Sequence, residues 1–224
     1  FGDKTKQALA VIGEARRTSN HPLLHYQEAW IYYHAQQWDK AVPLFERVIK
    51  QFPDDKSVIR RCQFSLSNIY VQQGAIRKGE VVLEKVFAED PDNPSVNNDL
   101  GYLYADQGKK LEQAEKMIRK ALKAEPKNSA YLDSMGWVLF KREKYDEALK
   151  YLKMASADRD GKDPTILEHL GDCLEKLKQK KLAVESWKQA LELARKDKRP
   201  DKKLIERIEK KLKDAGETVK PSGK

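Results

Sequence analysis

The chain has 224 residues and carries 44 Lys and Arg against 35 Asp and Glu, a net charge of +9. Hydrophobic residues make up 40% of it, enough for a packed core, which excludes an intrinsically disordered chain. Two cysteines exclude a disulfide scaffold and a cysteine-rich metal fold. The given sequence holds no apolar run of about 18 residues and no basic-then-apolar leader, so we predict neither a transmembrane helix nor a signal peptide within it.

The first predicted element covers residues 4–18. Its apolar residues recur every three or four positions, as Ala8, Val11, Ile12 and Ala15. This is the spacing of one face of an α-helix. We therefore predict a helix with one apolar face here.

A repeated pattern follows. A large apolar residue and a glycine, Leu100-Gly101, recur at intervals of 35 residues as Met135-Gly136 and Leu170-Gly171. Two alanines seven residues apart follow each pair: Ala114 and Ala121, Ala148 and Ala155, Ala183 and Ala190. Such a unit is two antiparallel helices whose small residues let the backbones approach, with a proline to end the second helix. Because one helix pair cannot bury its apolar faces alone, neighbouring pairs must stack.

This pattern resembles the tetratricopeptide repeat (TPR), a helix-turn-helix unit of about 34 residues. Five repeats fit within residues 22–196. The third to fifth match closely, whereas the first two depart from the family, with Glu28 where Leu is usual and Gly79 where Ala is usual. One extra residue is expected in the turn near Lys110. The resemblance implies an all-α fold, a right-handed superhelical TPR solenoid of about five helix pairs.

A single helix is predicted at each end of the repeats. The leading orphan helix resembles the second helix of a repeat whose first helix is missing, which indicates a fragment of a longer array. At the other end, four aliphatic residues fall on one face of a charged helix, as expected of a C-terminal capping helix. The predicted organisation is residues 1–21 for the second helix of a truncated preceding repeat, 22–199 for five TPR-like helix pairs, 200–215 for the capping helix and 216–224 for a disordered tail.

No catalytic signature is present. The sequence lacks a phosphate-binding loop, a G-x-S-x-G nucleophile motif, an H-E-x-x-H zinc motif and a C-x-x-C pair. Cys62 and Cys173 are interpreted as small buried side chains. His21 and His25 are interpreted as surface or interface residues, and His169 as isolated. We therefore predict a protein that is not an enzyme and has no cofactor and no metal site.

The candidate binding residues follow from the resemblance. In TPR proteins the first helix of each repeat lines the concave surface, and here that surface is rich in aromatic and asparagine side chains. Aromatic residues are typical of binding hot spots, and asparagines can pair with a peptide backbone. The prediction is a groove for a partner segment lined by Tyr26, Trp30, Tyr33, Phe64, Asn68, Asn98, Tyr102, Asp133, Trp137 and Phe140. The alternative is that these aromatics merely pack against neighbouring first helices.

The best-known ligand site of the family, a Lys, Asn and Arg clamp for chaperone tails, has no match. The corresponding positions hold Tyr26, Trp30, Ser65, Ala130 and Ser134. We therefore do not predict binding of chaperone tails.

The excess charge is confined to one end of the chain. Residues 1–175 are neutral overall, and residues 176–224 carry the whole +9. A solvated face of a terminal helix is the simplest interpretation, because stacking aromatics are lacking and nucleic-acid binding is therefore disfavoured. Contact with an anionic membrane or an acidic partner is the intermediate reading.

Three functions follow, in order of preference. The first is a non-catalytic scaffold or adaptor that binds a protein or peptide segment in the concave groove. The second is self-assembly, as a homodimer formed through the apolar face of the N-terminal helix. The third is contact of the basic C-terminal region with nucleic acid or an anionic membrane. Residues 98–152 resemble the C-terminal repeats of large bacterial TPR proteins, which suggests a bacterial source, either cytoplasmic or periplasmic and envelope-associated.

Overall fold

The computed structural model describes residues 2–157 and 163–218. These residues form α-helices connected by short turns, and no strand occurs among them. The helices are α1 Gly2–Thr18, α2 Pro22–His34, α3 Trp38–Gln51, α4 Lys56–Gln72, α5 Ile76–Glu89, α6 Pro94–Asp106, α7 Leu111–Ala124, α8 Ser129–Lys141, α9 Tyr145–Ala157, α10 Pro164–Lys176, α11 Lys180–Lys196 and α12 Lys202–Asp214.

The predicted all-α class, with five helix pairs between a leading and a closing helix, is confirmed. The pairs α2–α3, α4–α5, α6–α7, α8–α9 and α10–α11 are called repeats one to five below, and each consists of a first and a second helix. The chain divides into two compact units, an N-terminal unit of residues 1–91 and a C-terminal unit of residues 92–224. Residues 219–224 of the predicted tail, and Phe1 of the predicted leading segment, lie outside the described residues.

Each first helix begins at a residue whose side chain caps it. Such a cap accepts a hydrogen bond from a backbone N–H of the first turn, which has no partner within the helix. In α8, Asn128 Oδ1 accepts from the N–H groups of Ala130 and Tyr131 at 3.1 and 3.2 Å. The corresponding caps of α2, α4, α6, α10 and α12 are His21, Asp55, Asn93, Asp163 and Asp201.

The turn within each repeat has the same geometry along the chain. Each first helix carries a small residue, here called the small position: Ala29, Ser67, Gly101, Gly136 and Gly171. Seven residues after it, the backbone turns through the left-handed region, at Gln36, Gly74, Gly108, Glu143 and Lys178. Repeat three has a further left-handed residue, Lys110, directly before α7. The extra turn residue predicted there is confirmed.

The small position sets how closely the two helices of a repeat approach. A Cβ on Gly101 would meet Ile118 Cγ1 at 2.8 Å, closer than real Cβ contacts. Gly136 meets Leu152 in the same way, and Gly171 meets Trp187. A larger side chain at these positions would separate the two helices and open the core between them.

In the N-terminal unit, α1 packs on α2, and α4 packs on α2, α3 and α5. Its core is formed by buried residues of α2, α3 and α4: Ala29, Ala41, Phe45, Val48, Val58, Cys62, Leu66 and Ile69. Glu28, at the position where the family usually has Leu, forms an ion pair with Arg16 of α1. The departure from the family pattern is therefore balanced by a basic residue on the neighbouring helix.

In the C-terminal unit, each first helix packs on its own second helix and on the next first helix. Thus α6 contacts α7 and α8, and α8 contacts α9 and α10. The closing helix α12 packs on α11 and buries Leu204, Ile208 and Leu212. These three residues lie on the apolar face that the sequence predicted.

Candidate partner-binding site

An open apolar cleft lies on the N-terminal unit, between α1, α2 and α4. Its volume is about 520 Å³, and apolar atoms dominate its surface. Two of its side chains are large, apolar and solvent-exposed: Val11, which is 68% exposed, and Trp30, which is 43% exposed. The lining also includes Ala8, Ile12, Tyr26 and Arg61. Contiguous exposed apolar surface of this kind is typical of an interaction site.

The predicted binding residues of the N-terminal unit lie on α2 and α4. Tyr26 and Trp30 line the cleft, and both Tyr33 and Phe64 are half-buried. The Tyr33 hydroxyl donates a hydrogen bond to Asn68 Oδ1 at 2.8 Å, which links α2 to α4. Of these five residues, Trp30 and Asn68 are the exposed ones.

Trp137, in the C-terminal unit, is held among the first helices instead of projecting into solvent. It is 8% exposed and stacks on His169 and Phe140, with ring centroids 3.9 and 4.9 Å away. Its indole N–H donates to Asp106 Oδ1 of the preceding first helix at 3.2 Å. This geometry is the one expected for an aromatic residue that packs first helices together.

Asp133 and His169 form a buried pair between α8 and α10. His169 Nδ1 lies 2.9 Å from Asp133 Oδ1. Burial by itself lowers the pKa of His169, but the charge of Asp133, with smaller contributions from Glu168 and Asp172, outweighs it, so the pKa of His169 is raised. The interpretation of His169 as isolated is therefore wrong. Its position on the first helix next to that of Asp133 was the available signal.

Asn98 and Tyr102 lie on α6. Asn98 is buried and donates from Nδ2 to Asp99 at 3.0 Å, while its Oδ1 is buried and accepts no hydrogen bond from the described residues. Burial, followed by the charges of Asp106 and Asp133, raises the pKa of Tyr102. Asn98 thus offers an acceptor, and Tyr102 remains a neutral phenol.

The acidic residues of α10 are covered by basic residues of α12. Glu168 accepts two hydrogen bonds from Arg207 and one from Lys211, each 2.6 Å long. Lys211 also bonds Asp172 at 2.6 Å. Burial raises the pKa of Glu168, but Arg207 and Lys211 outweigh it, so the pKa is lowered. These carboxylates, which the family pattern places on the inward face, stabilise the closing helix.

Further basic residues near the C-terminus are engaged in ion pairs. Arg195 bonds Glu209 at 2.8 Å, and Lys188 bonds Glu217 at 2.6 Å. Part of the positive charge at this end of the chain therefore neutralises acidic residues within the fold. The simple picture of a wholly solvated basic face does not describe Arg207, Lys211 or Arg195.

The cysteines and histidines have structural surroundings. Cys62 and Cys173 are buried, as predicted, and burial raises the pKa of their thiols to about 12 and about 11. Thiols so resistant to ionisation are poor nucleophiles. His21 lies outside α2 and caps it, and His25 is buried 2.8 Å from Asn20 Oδ1.

Within residues 2–157 and 163–218, no three His, Cys, Asp or Glu side chains are grouped as a metal site. No helix in the same part of the chain has the length and apolar character needed to span a bilayer.

Two bacterial relatives match part of the chain. The TPR repeat-containing protein PA4667 of Pseudomonas aeruginosa is 32% identical over 136 residues, which is 61% of this chain and 22% of that relative. The type IV pilus assembly protein PilF of the same organism is 28% identical over 128 residues, 56% of this chain and 50% of the relative. The chain therefore matches half or less of the length of either relative.

Solved structures share the fold. The thermophilic TPR protein TTC0263 of Thermus thermophilus superposes with a TM-score of 0.66 at 22% identity, covering 86% of this chain and 99% of that one. MamA of Desulfovibrio magneticus RS-1 gives a TM-score of 0.57 at 15% identity, with 81% and 99% covered. MamA MSR-1 gives 0.53 at 25% identity, with 77% and 95% covered.

Three family models, each described as tetratricopeptide repeat, match residues 22–55, 70–137 and 134–199. Together they cover most of the repeats identified from the Leu-Gly and alanine pattern. The helix pairs, their left-handed turns and their small positions agree with this assignment. The chain belongs to the tetratricopeptide repeat family.

Proposed function

We propose that the protein is a non-catalytic scaffold that binds a segment of a partner protein through side chains of its first helices. The observation that carries the proposal is the open apolar cleft of the N-terminal unit, in which Trp30 and Val11 are exposed. Trp and Tyr provide large contact areas with few rotatable bonds, which favours them at the centre of interfaces. Trp30 is accordingly the anchor of the proposed site, with Tyr26 beside it.

The remaining candidate residues have graded roles in this proposal. Tyr33, Phe64 and Asn68 continue the surface along α2 and α4. On the C-terminal unit, Asn98 Oδ1 is a buried acceptor without a donor among the described residues, which a peptide N–H of a partner would satisfy. Tyr102, Asp133, Trp137 and Phe140 hold the first helices of that unit in place around it.

The relatives agree with an assembly role. One of them is called a type IV pilus assembly protein, and the other is described only by its TPR repeats. TPR proteins generally act as scaffolds rather than enzymes, and binding specificity resides in the surface that a given repeat presents. We carry over the general role of a scaffold from these relatives, and no particular partner.

Site-specific photo-crosslinking tests the proposal. A photoreactive phenylalanine replaces Trp30 in one variant and Leu182, an exposed apolar residue of α11, in a control variant. Both variants are expressed in the source cells. A discrete crosslinked partner at position 30, absent at position 182, is expected. The same products at both positions, or none at position 30, would contradict the proposed site.

Self-assembly is the second candidate, and the exposure of Val11 on α1 favours it. In this case the apolar face of α1 in one copy would cover that of another copy. Sedimentation velocity at several protein concentrations is the measurement. A concentration-dependent dimer that Val11→Asp disrupts would support self-assembly, whereas a monomer throughout would exclude it in that range.

A further inference from the structure

In each of the five repeats, three residues of the second helix share one spacing, and the first helix of the repeat covers them. In α7 they are Ala114, Ile118 and Ala121, all fully buried, with Gly101 of α6 against Ile118. The equivalent residues of α3, α5, α9 and α11 are also buried. They are Ala41, Phe45 and Val48; Gly79, Leu83 and Val86; Ala148, Leu152 and Ala155; and Ala183, Trp187 and Ala190.

Helix α1 has the same three positions without such a cover. Ala8, Ile12 and Ala15 follow the same spacing but are only half-buried. Val11, which is 68% exposed, occupies the position of Met117 in α7, which is 5% exposed. Helix α1 therefore presents the surface of a second helix, and no first helix lies on it among the described residues.

Trp30 of α2 forms the second side of this surface. The residue after the small position pairs with the end of the preceding first helix at two places in the chain. Trp137 of α8 donates to Asp106 of α6, and Asn68 of α4 accepts from Tyr33 of α2. Trp30 holds the same position in α2, and it remains exposed.

The uncovered surface and the surface under α6 are the same at four side chains. Ala8, Ile12, Ala15 and Trp30 correspond to the four residues on which α6 packs: Ala114, Ile118, Ala121 and Trp137. Surfaces with the same side chains in the same register accept helices of the same pattern, because close packing depends on shape. The known occupant of one surface therefore specifies the occupant of the other.

We propose that Ala8, Ile12, Ala15 and Trp30 form a docking site, the α1–α2 seat, for an amphipathic helix of a partner protein with the pattern of α6. That helix has a large apolar residue, then glycine, and a carboxylate five residues after the glycine, as in Leu100, Gly101 and Asp106. The glycine allows close approach to Ile12, and the carboxylate accepts the Trp30 indole N–H. The inference rests on the proposed scaffold function and names the class of segment that the cleft binds.

A second copy of this chain is a poorer source of that helix. The helices that carry the apolar-glycine pair, α6, α8 and α10, already lie on their own second helices, and Gly101, Gly136 and Gly171 are buried there. Donating one of them would leave the core of its repeat uncovered. A separate protein whose helix is free to dock has no such penalty.

Binding of a labelled peptide to the full chain tests the inference. The peptide is residues 93–107, which comprise α6 and its cap, and its affinity is measured by fluorescence anisotropy. Saturable binding is expected, weakened at least tenfold by Trp30→Ala or Val11→Asp in the protein and unchanged by Leu182→Ala. Because Val11 is exposed, Val11→Asp leaves the fold intact, which circular dichroism checks.

Two peptide variants test the predicted pattern. Gly101→Leu in the peptide is expected to abolish binding, because the larger side chain cannot approach Ile12. Asp106→Ala is expected to weaken binding about fivefold, a loss typical of one hydrogen bond. Equal affinity for all three peptides would show non-specific adhesion and would overturn the inference.

Fusion of the same helix ahead of residue 1 through a flexible linker removes the dependence on peptide affinity, because an isolated short helix is only marginally stable. The fused helix is expected to raise the Tm by about 3 °C, and its Gly101→Leu version is not. No peptide binding together with no Tm shift overturns the inference. If a partner still crosslinks at position 30 in that case, the scaffold function stands alone. A dimer that Val11→Asp abolishes would replace the partner helix with a second copy.

Discussion

His169 Nδ1 and Asp133 Oδ1 lie 2.9 Å apart in the interior of the C-terminal unit, where the ring of His169 also stacks on Trp137. The pair joins α8 to α10, two consecutive first helices. Buried ionisable pairs make stability depend on pH, because the two members hold a proton that the unfolded chain gives up more easily. The groups around the ring are Glu168, Asp172, Tyr102 and Arg207.

Raising the pH is expected to destabilise the C-terminal unit through this pair. The folded pKa of His169 is raised, so the stabilisation is fully present below the unfolded value of about 6.5 and is lost as the pH rises through the folded pKa. A loss of about 1 kcal/mol in the free energy of unfolding is expected between about pH 6.5 and 9. Urea unfolding at a series of pH values measures it. His169→Gln, whose side chain does not titrate, should flatten the profile in this range, and an unchanged profile would contradict the assignment.

Trp137→Ala and Trp30→Ala are expected to differ strongly in stability although the two residues occupy the same repeat position. Trp137 is buried, so its removal should cost about 3–5 kcal/mol. Trp30 is 43% exposed, so its removal should cost about 1 kcal/mol or less while reducing partner binding. Chemical denaturation of both variants provides the comparison. Similar losses would mean that Trp30 is a packing residue too.

Glycine at the left-handed turn positions is expected to stabilise the chain. Gln36, Glu143 and Lys178 adopt positive φ angles of 54°, 62° and 61°, where a Cβ is unfavourable. Gln36→Gly should gain about 1 kcal/mol, and the reverse change, Gly74→Ala, should lose about as much. Gly13→Ala is the matched control. Gly13 lies within α1 with nothing near its missing Cβ, so alanine should stabilise there. Thermal unfolding distinguishes the three changes by sign.

Glu168→Gln is expected to release α12. The substitution leaves Arg207 and Lys211 without the carboxylate that each bonds at 2.6 Å, and breaking a buried ion pair costs about 3 kcal/mol. Limited trypsin digestion should then cleave faster near residues 198–203. Glu192→Gln, which removes the exposed pair with Lys196, is the control and should change little. Equal cleavage rates in the two variants would exclude a role of Glu168 in holding α12.

Acid should act on the same contact. The pKa of Glu168 is lowered in the folded state, so its stabilisation is present above the ordinary value of about 4.5 and is lost as the pH falls through the folded pKa. Trypsin loses activity in acid, so hydrogen exchange of α12 is the suitable measurement. Exchange should accelerate below about pH 4 in the wild-type chain, and much less in Glu168→Gln.

The helix pairs could be predicted from sequence because each is specified by local chemistry. A small residue in the first helix faces alanines in the second at fixed spacing, and side-chain caps such as Asn128 mark the helix starts. These requirements recur in every repeat, so five weak signals reinforce one another. The two departures, Glu28 and Lys110, were visible as departures, and the structure explains them by the Arg16 ion pair and by an added left-handed residue.

The sequence by itself determined the repeats, the two end helices, the confinement of the positive charge to residues 176–224 and the set of residues on the first helices. Only the tertiary structure decided which of those residues are free. Repeat position is a local property, but exposure depends on whether another first helix lies against the residue. Trp137 has such neighbours and is buried, whereas Trp30, at the same position, is exposed beside α1. The same reason explains why Glu168 and Asp172 bind α12, and why the site proposed for a partner lies on the N-terminal unit.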